Sequence, residues 1–294
     1  MAGFVDRPAV VVGVDGSEEA RRALRWAATM ALRLDRPLKV VHTWLWPAFR
    51  VPLGPVPGAA PSSGLRAAAE RVLKEARTDV EQTAPELALT TSLVYGEASV
   101  VLVDMSRDAE MVVIGCRGLG GFSGLLLGSV GLHVSSRAHC PVVVVRGDDR
   151  PAGDVVVGVD GSETSAVALE QAFETCACLG AKLVALTTWD FPVGLAPDTS
   201  RGTYQQSLEE RARTALAHSV APWRDKHPSV RVAEVVVQGA PAASLIDASH
   251  AARLLVVGTH GAGGLRGLVL GSVSHAVLHH AHCPVMTVPR ERRP

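Results

Sequence analysis

Val12-Gly13-Val14-Asp15-Gly16-Ser17 closes an apolar run that begins at Val10, and Val157-Gly158-Val159-Asp160-Gly161-Ser162 closes another that begins at Val155. An unbroken apolar run ending in an acid, a glycine and a hydroxyl residue predicts a strand buried on both faces that turns directly into a helix. Outward from this stretch a second pattern is also written twice. Gly115-x2-Gly118-x9-Gly128-Ser129 recurs as Gly258-x2-Gly261-x9-Gly271-Ser272. The first pattern repeats at an offset of 145 (160 minus 15) and the second at 143 (258 minus 115), the latter shared by Gly96 and Gly239, Asp104 and Asp247, and Cys140 and Cys283. Such a period exceeds a solenoid repeat and matches a small domain, which predicts a tandem duplication: residues 1–147 and 154–294, joined by a linker at 148–153.

Within each half, strands and helices alternate. The first half predicts strands at 10–14, 38–42, 89–95, 111–114 and 141–145, with helices at 18–34, 65–82, 99–107 and 128–137. Five prolines between Pro47 and Pro61 make the intervening stretch a loop or lid. The second half predicts strands at 155–159, 182–187, 230–237, 254–257 and 285–288. Its helices are expected at 163–179, 204–221, 242–250 and 272–280, with an irregular stretch at 191–202. The fold class is therefore α/β: two tandem Rossmann-like domains, each an open five-stranded parallel sheet with helices on both faces. A strand order of 3-2-1-4-5 sets the first and fourth strands side by side, so that Asp15 and Gly115 meet at one crevice.

The chemistry of that crevice suits a phosphorylated ligand. Gly115 and Gly118 are expected to bend the chain through conformations closed to other residues and to expose N–H groups to an anion. Gly128-Ser129 opens a helix, whose first N–H groups and positive dipole end favour phosphate. Asp15 and Asp160, as acceptors, suit ribose hydroxyls or a magnesium ion bridging to phosphates.

Composition narrows the setting. Lys plus Arg and Asp plus Glu stand at 29 each, which removes the electrostatic case for nucleic acid or an anionic membrane. No apolar run reaches the ~18 residues of a spanning helix, and residues 1–15 lack the pattern of an export signal, so a cytoplasmic location is expected. Five cysteines, an odd number without a Cys-x2-Cys pair, read as reduced thiols.

With these residues in view, both halves resemble universal stress protein domains of the ATP-binding subclass, which carry Gly-x2-Gly-x9-Gly-Ser/Thr, and the whole chain resembles the tandem form. The resemblance implies ATP or another adenine nucleotide, with magnesium. It sets Asp15 and Asp160 beside the ribose, Thr43 and Thr188 at the adenine, and Ile114 and Val257 flanking the base. It also implies that Gly115, Gly118, Gly128 and Ser129, with Gly258, Gly261, Gly271 and Ser272, hold ribose and phosphates, and that Val130 and Val273 add backbone contacts. The halves differ at Arg117 against His260, Cys116 against Thr259 and Gly131 against Ser274, so unequal phosphate affinity is expected. The last strands of the two halves are implied to be edges that pair, within the chain or in a homodimer.

Plainer readings stand beside these. Asp15 with Glu18, and Asp160 with Glu163, have capping-box spacing. His275, His279, His280 and His282 read as surface or packing residues, and Cys140 and Cys283 as small apolar ones. Trp44 and Trp46 either cover an adenine or seal the core. The leading functional expectation is a nucleotide-dependent regulator in stress or growth arrest, not a dedicated catalyst. Two other classes stay open, a slow ATP hydrolase or adenylyl-transferring enzyme and a ligand-free interaction module. The missing Gly-x4-Gly-Lys-Ser/Thr loop weighs against the first of them.

Overall fold

The computed structural model describes residues 7–44, 62–119, 126–147, 150–190, 201–261 and 270–290. Most of the proline-rich stretch, Trp46 and residues 191–200 lie outside the described residues. The chain divides into two compact units after Val134.

In the first unit, β1 (Ala9–Gly13) carries Val10, Val11 and Val12, at most 3% exposed. Three successive buried side chains mean that both faces of the strand are covered, as the valine run implied, each burial stabilising by about 2 kcal/mol. β1 pairs in parallel with β2 (Leu38–Trp44) on one side and β4 (Ala109–Gly115) on the other, Val12 lying opposite Val40 and Val113. β3 (Leu89–Tyr95) joins β2 in parallel, giving the order β3-β2-β1-β4. Helix α1 (Glu18–Leu34) packs on β1 and β4, α2 (Ser62–Thr83) on β2 and β3, and α3 (Ala98–Met105) on β1 and β2. The buried stripe of α1, Ala23, Leu24, Ala27 and Ala31, follows helical spacing, and the helix ends where Asp35 takes the left-handed conformation at φ 52°. α2 begins three residues before the expected start at Leu65, among Ser62, Ser63 and Gly64, which had read as the tail of the loop.

The second unit repeats the plan. β6 (Asp154–Gly158) lies between β7 (Leu183–Trp189) and β9 (Ala252–Gly258), with β8 (Val232–Gln238) beyond β7 and β10 (Val285–Val288) beyond β9, all in parallel. Helices α5 (Glu163–Leu179), α6 (Arg201–Lys226), α7 (Pro241–Ala248) and α8 (Ser272–His280) fill the connections. β10 also pairs antiparallel with β5 (Val142–Val145), Met286 opposite Val143, and so β5 groups with this unit. The division therefore falls inside α4 (Ser129–Arg137). At the expected linker, Gly153 N–H bonds Arg150 C=O at 3.0 Å in a turn.

α6 departs from the sequence reading. The helix expected at 204–221 runs from Arg201 to Lys226 with Pro222 inside it, and closes with His227 N–H on Trp223 C=O at 2.9 Å. Proline removes one intrahelical bond at a cost of about 3 kcal/mol. Fully buried Leu216 and Val220, and His227 stacked on Phe173 at 5.8 Å, hold the helix on either side of the break.

Candidate functional site

Each site begins where its first strand ends. Past β1, Gly16 sits at φ 89°, and its counterpart Gly161 at 77°, a conformation that side chains with a Cβ rarely adopt. This turn brings Ser17 N–H onto Asp15 Oδ1 at 2.9 Å and Ser162 N–H onto Asp160 Oδ1 at 3.0 Å. The caps of α1 and α5 are Ser17 and Ser162, which accept from Ala20 N–H at 3.2 Å and Ser165 N–H at 3.1 Å. The capping-box reading of the two aspartates is thereby corrected: the serine two residues on satisfies the helix. Asp15 is left to face the glycine loop, and its Oδ2 accepts from Leu119 N–H at 2.8 Å.

The loop glycines serve space rather than backbone freedom. None of Gly115, Gly118, Gly258 and Gly261 is among the glycines at positive φ, which corrects the expectation that they bend the chain through forbidden conformations. A Cβ on Gly115 would lie 2.8 Å from the Glu19 carbonyl, and one on Gly258 would lie 2.7 Å from Thr164 Cγ2, so helix and strand approach too closely for a side chain. A Cβ on Gly118 or Gly261 would collide with Oδ2 of Asp15 or Asp160. The two patterns thus meet in space in both units, the carboxylate against the second glycine of the loop.

Beyond this junction lies a cavity of about 490 Å³ in the first unit and about 590 Å³ in the second. Asp15 and Thr43 border the first from β1 and β2, and Ile114, Gly115, Arg117 and Gly118 from β4 and its loop. Gly128, Ser129 and Val130 close it at the start of α4. Asp160, Thr188, Val257, Gly258, His260 and Gly261 do the same in the second, with Gly271, Ser272, Val273 and Ser274 at the start of α8. A helix start leaves its leading N–H groups without intrahelical partners, and here they border the cavity. The bends are held to these helices by Gly128 N–H on Cys116 C=O at 2.9 Å and Gly271 N–H on Thr259 C=O at 2.7 Å.

Sequence reasoning missed the apolar wall. Ala98 and Leu102 of α3, and Pro241 and Leu245 of α7, line the cavities at matched places 143 residues apart, the signal that could have found them. It also missed His42, whose Nδ1 lies 2.6 Å from Val14 C=O at the cavity edge. Trp44 instead packs edge-on against Tyr95 at 5.5 Å and does not border the cavity.

The sites differ most at the two residues inside the bend. Glu19, in the first turn of α1, accepts from Arg117 at 3.3 Å and from Arg22 at 3.4 Å, with Cys116 Sγ at 3.6 Å. The hydrogen bond to Glu19, with Cys116 beside it, raises the Arg117 guanidinium above its ordinary value. In the second unit His260 Nδ1 lies 3.1 Å from Thr259 Oγ1. Ser274 Oγ donates to Gly258 C=O at 2.6 Å, where the first unit has Gly131.

Among the described residues no group of three or more His, Cys, Asp or Glu could hold a metal, and no helix is long and apolar enough to cross a membrane. The rings of His275 and His279 lie 4.5 Å apart, tilted by 33°, without such a set. Cys140 and Cys283 are buried as expected, and burial pushes the Cys283 and Cys176 thiols up to about 12.

The family model described as the Universal stress protein family matches residues 7–146 and again 152–289. A universal stress protein of Mycobacterium tuberculosis is 38% identical over 286 residues, covering 94% of this chain and 95% of the relative. One from Mycolicibacterium smegmatis is 37% identical over 286 residues, covering 95% and 96%. In fold, the chain is similar to the crystal structure of a universal stress protein from Archaeoglobus fulgidus, with a TM-score of 0.67, 19% identity and 98% of each chain covered.

Proposed function

The chain belongs to the universal stress protein family, and from that premise we propose that each cavity holds an adenine nucleotide, ATP with magnesium foremost, whose occupancy regulates the protein's partners under stress or growth arrest. Gly128 carries the reading. Among the described residues a Cβ there would meet no atom nearer than 3.7 Å, and Gly128 is not among the glycines at positive φ. Neither crowding nor backbone conformation demands glycine, so the position keeps room for an atom outside the protein. The cavity volumes fall within the usual ~300–1,000 Å³ of small-molecule sites. The donor set suits the ligand: helix N–H groups and a serine hydroxyl for phosphates, one aspartate for ribose, an apolar wall for the base. Among the described residues one aspartate borders each cavity, which would give a magnesium ion a single protein carboxylate and suits a cation held mainly by phosphates and water. The protein binds and signals on this reading, in the cytoplasm, with β10 and β5 covering each other's edges.

Rapid denaturation of freshly purified protein, followed by chromatography of what is released, should yield ATP or ADP. Added ATP at 100 times its dissociation constant should stabilise the protein by about 2.7 kcal/mol. Gly128→Val should leave melting of the ligand-free protein nearly unchanged while weakening ATP at the first cavity at least about tenfold, since the added methyls overfill the site. No released nucleotide, together with a melting temperature indifferent to ATP and magnesium, would reject the reading.

A further inference from the structure

Resting on the nucleotide reading, we propose that Glu19 is a positioning residue that engages Arg117 until a ligand phosphate displaces it, so that the first cavity selects ligands by their number of phosphates. The geometry lies in one carboxylate. Its Oε1 is 3.3 Å from Arg117 Nη2, and its Oε2 is 3.4 Å from Arg22 Nη1 and 3.6 Å from Cys116 Sγ. Cys116 and Arg117 are the two residues inside the Gly115-x2-Gly118 bend, so Glu19 ties the bend to α1 from beneath. Its side chain is 20% exposed against 52% for Arg117, which leaves the guanidinium as the partner with room to swing.

A guanidinium presents a planar fork of N–H donors that fits a carboxylate or a phosphate in the same way. Glu19 and a terminal phosphate therefore compete for one fork, on a residue that itself borders the cavity. A ligand too short to reach Arg117 leaves the pair intact. A longer one takes Arg117 over, and Glu19 retains Arg22. The second unit lacks this device: Thr164, neutral, stands against Gly258 where Glu19 stands against Gly115.

The test is calorimetric titration of AMP, ADP and ATP, with magnesium and at two salt concentrations, into the full chain carrying Gly271→Val to silence the second cavity. Glu19→Gln should tighten ATP about threefold to fivefold, the worth of one exposed ion pair, and leave AMP within about twofold. The gain should shrink at high salt and vanish in Glu19→Gln/Arg117→Gln. Should Glu19→Gln melt early, Glu19→Thr, which copies Thr164, carries the same expectation. Equal tightening of all three ligands, a gain that survives without Arg117, or ATP binding indifferent to Glu19 would each overturn the inference alone. A chain that binds none of the three sinks the nucleotide reading and this inference with it.

Discussion

The first turns of α1 and α5 occupy matching places in the two units, yet one offers Glu19 to its glycine loop and the other Thr164. Around them the backbone devices are the same: an aspartate turned by a glycine at positive φ, a serine cap two residues on, and a loop glycine pressed against the helix. Hence the shape of each cavity is set by backbone and small residues, while its charge is set by two or three side chains free to differ. The units are alike where sterics decide and unlike where electrostatics decide.

The largest effect that tests this division comes from filling the close approach. A Cβ at position 115 meets backbone atoms of Glu19 at 2.8 Å, whereas at position 258 it first meets the Thr164 side chain at 2.7 Å and the backbone carbon only at 3.1 Å. Gly115→Ala should destabilise the first unit by about 3 kcal/mol and Gly258→Ala the second by about 2 kcal/mol, because moving a helix backbone costs more than moving a side chain. Urea unfolding of the two variants measures both. A Gly115→Ala protein as stable as its parent would show that the helix yields freely.

A smaller effect separates Ser274 from Gly131. The Ser274 hydroxyl, 3% exposed, donates to Gly258 C=O, and Ser274→Ala should cost about 1 kcal/mol by removing a buried bond. The reverse exchange is not symmetrical, for a Cβ on Gly131 would lie 2.8 Å from Leu127 Cδ1. Gly131→Ser should therefore destabilise the first unit by about 1 kcal/mol instead of gaining the bond. Stabilisation by Gly131→Ser, read from thermal melts, would mean that Leu127 has a second rotamer to use and that the two helix starts are interchangeable.

What the sequence disclosed follows the same line between backbone and side chain. The apolar run at 10–14 and the helical stripe of α1 were legible because burial on two faces, or on one stripe, leaves a periodic trace. α1 and α5 span 18–34 and 163–179 as expected, although their caps were read at Asp15 and Asp160 and lie at Ser17 and Ser162. α6 runs five residues past the expected end at 221, through a proline that opposes a helix locally, because the packing of Leu216 and Val220 that holds it is tertiary. The glycine loop was legible as a pattern but not in its cause. Spacing cannot distinguish a glycine at positive φ, such as Gly16, from one crowded by a helix, such as Gly115. Leu102, Leu245 and Glu19 were passed over because an apolar or acidic residue in a helix carries no chemistry until the fold aims it at a cavity.

The smallest effect lies away from the cavities and sharpens the comparison through pH. His279 of α8 stands 143 residues beyond Ser136, so the second copy of the repeat carries an imidazole where the first has a hydroxyl. Burial, then the neighbouring His275, His280 and Arg146, lowers the His279 pKa, and its Nε2 is buried with no hydrogen-bond partner among the described residues. With the folded value below the ordinary ~6.5, the unfolded chain takes up the proton first. The stability tied to neutral His279 is thus fully present above pH ~6.5 and is lost as pH falls through the folded pKa, by less than about 1 kcal/mol after solvent screening. Melting temperatures from pH 7.5 to 5 should fall less steeply in His279→Gln than in the parent chain. An unchanged slope would place the acid sensitivity of the second unit elsewhere.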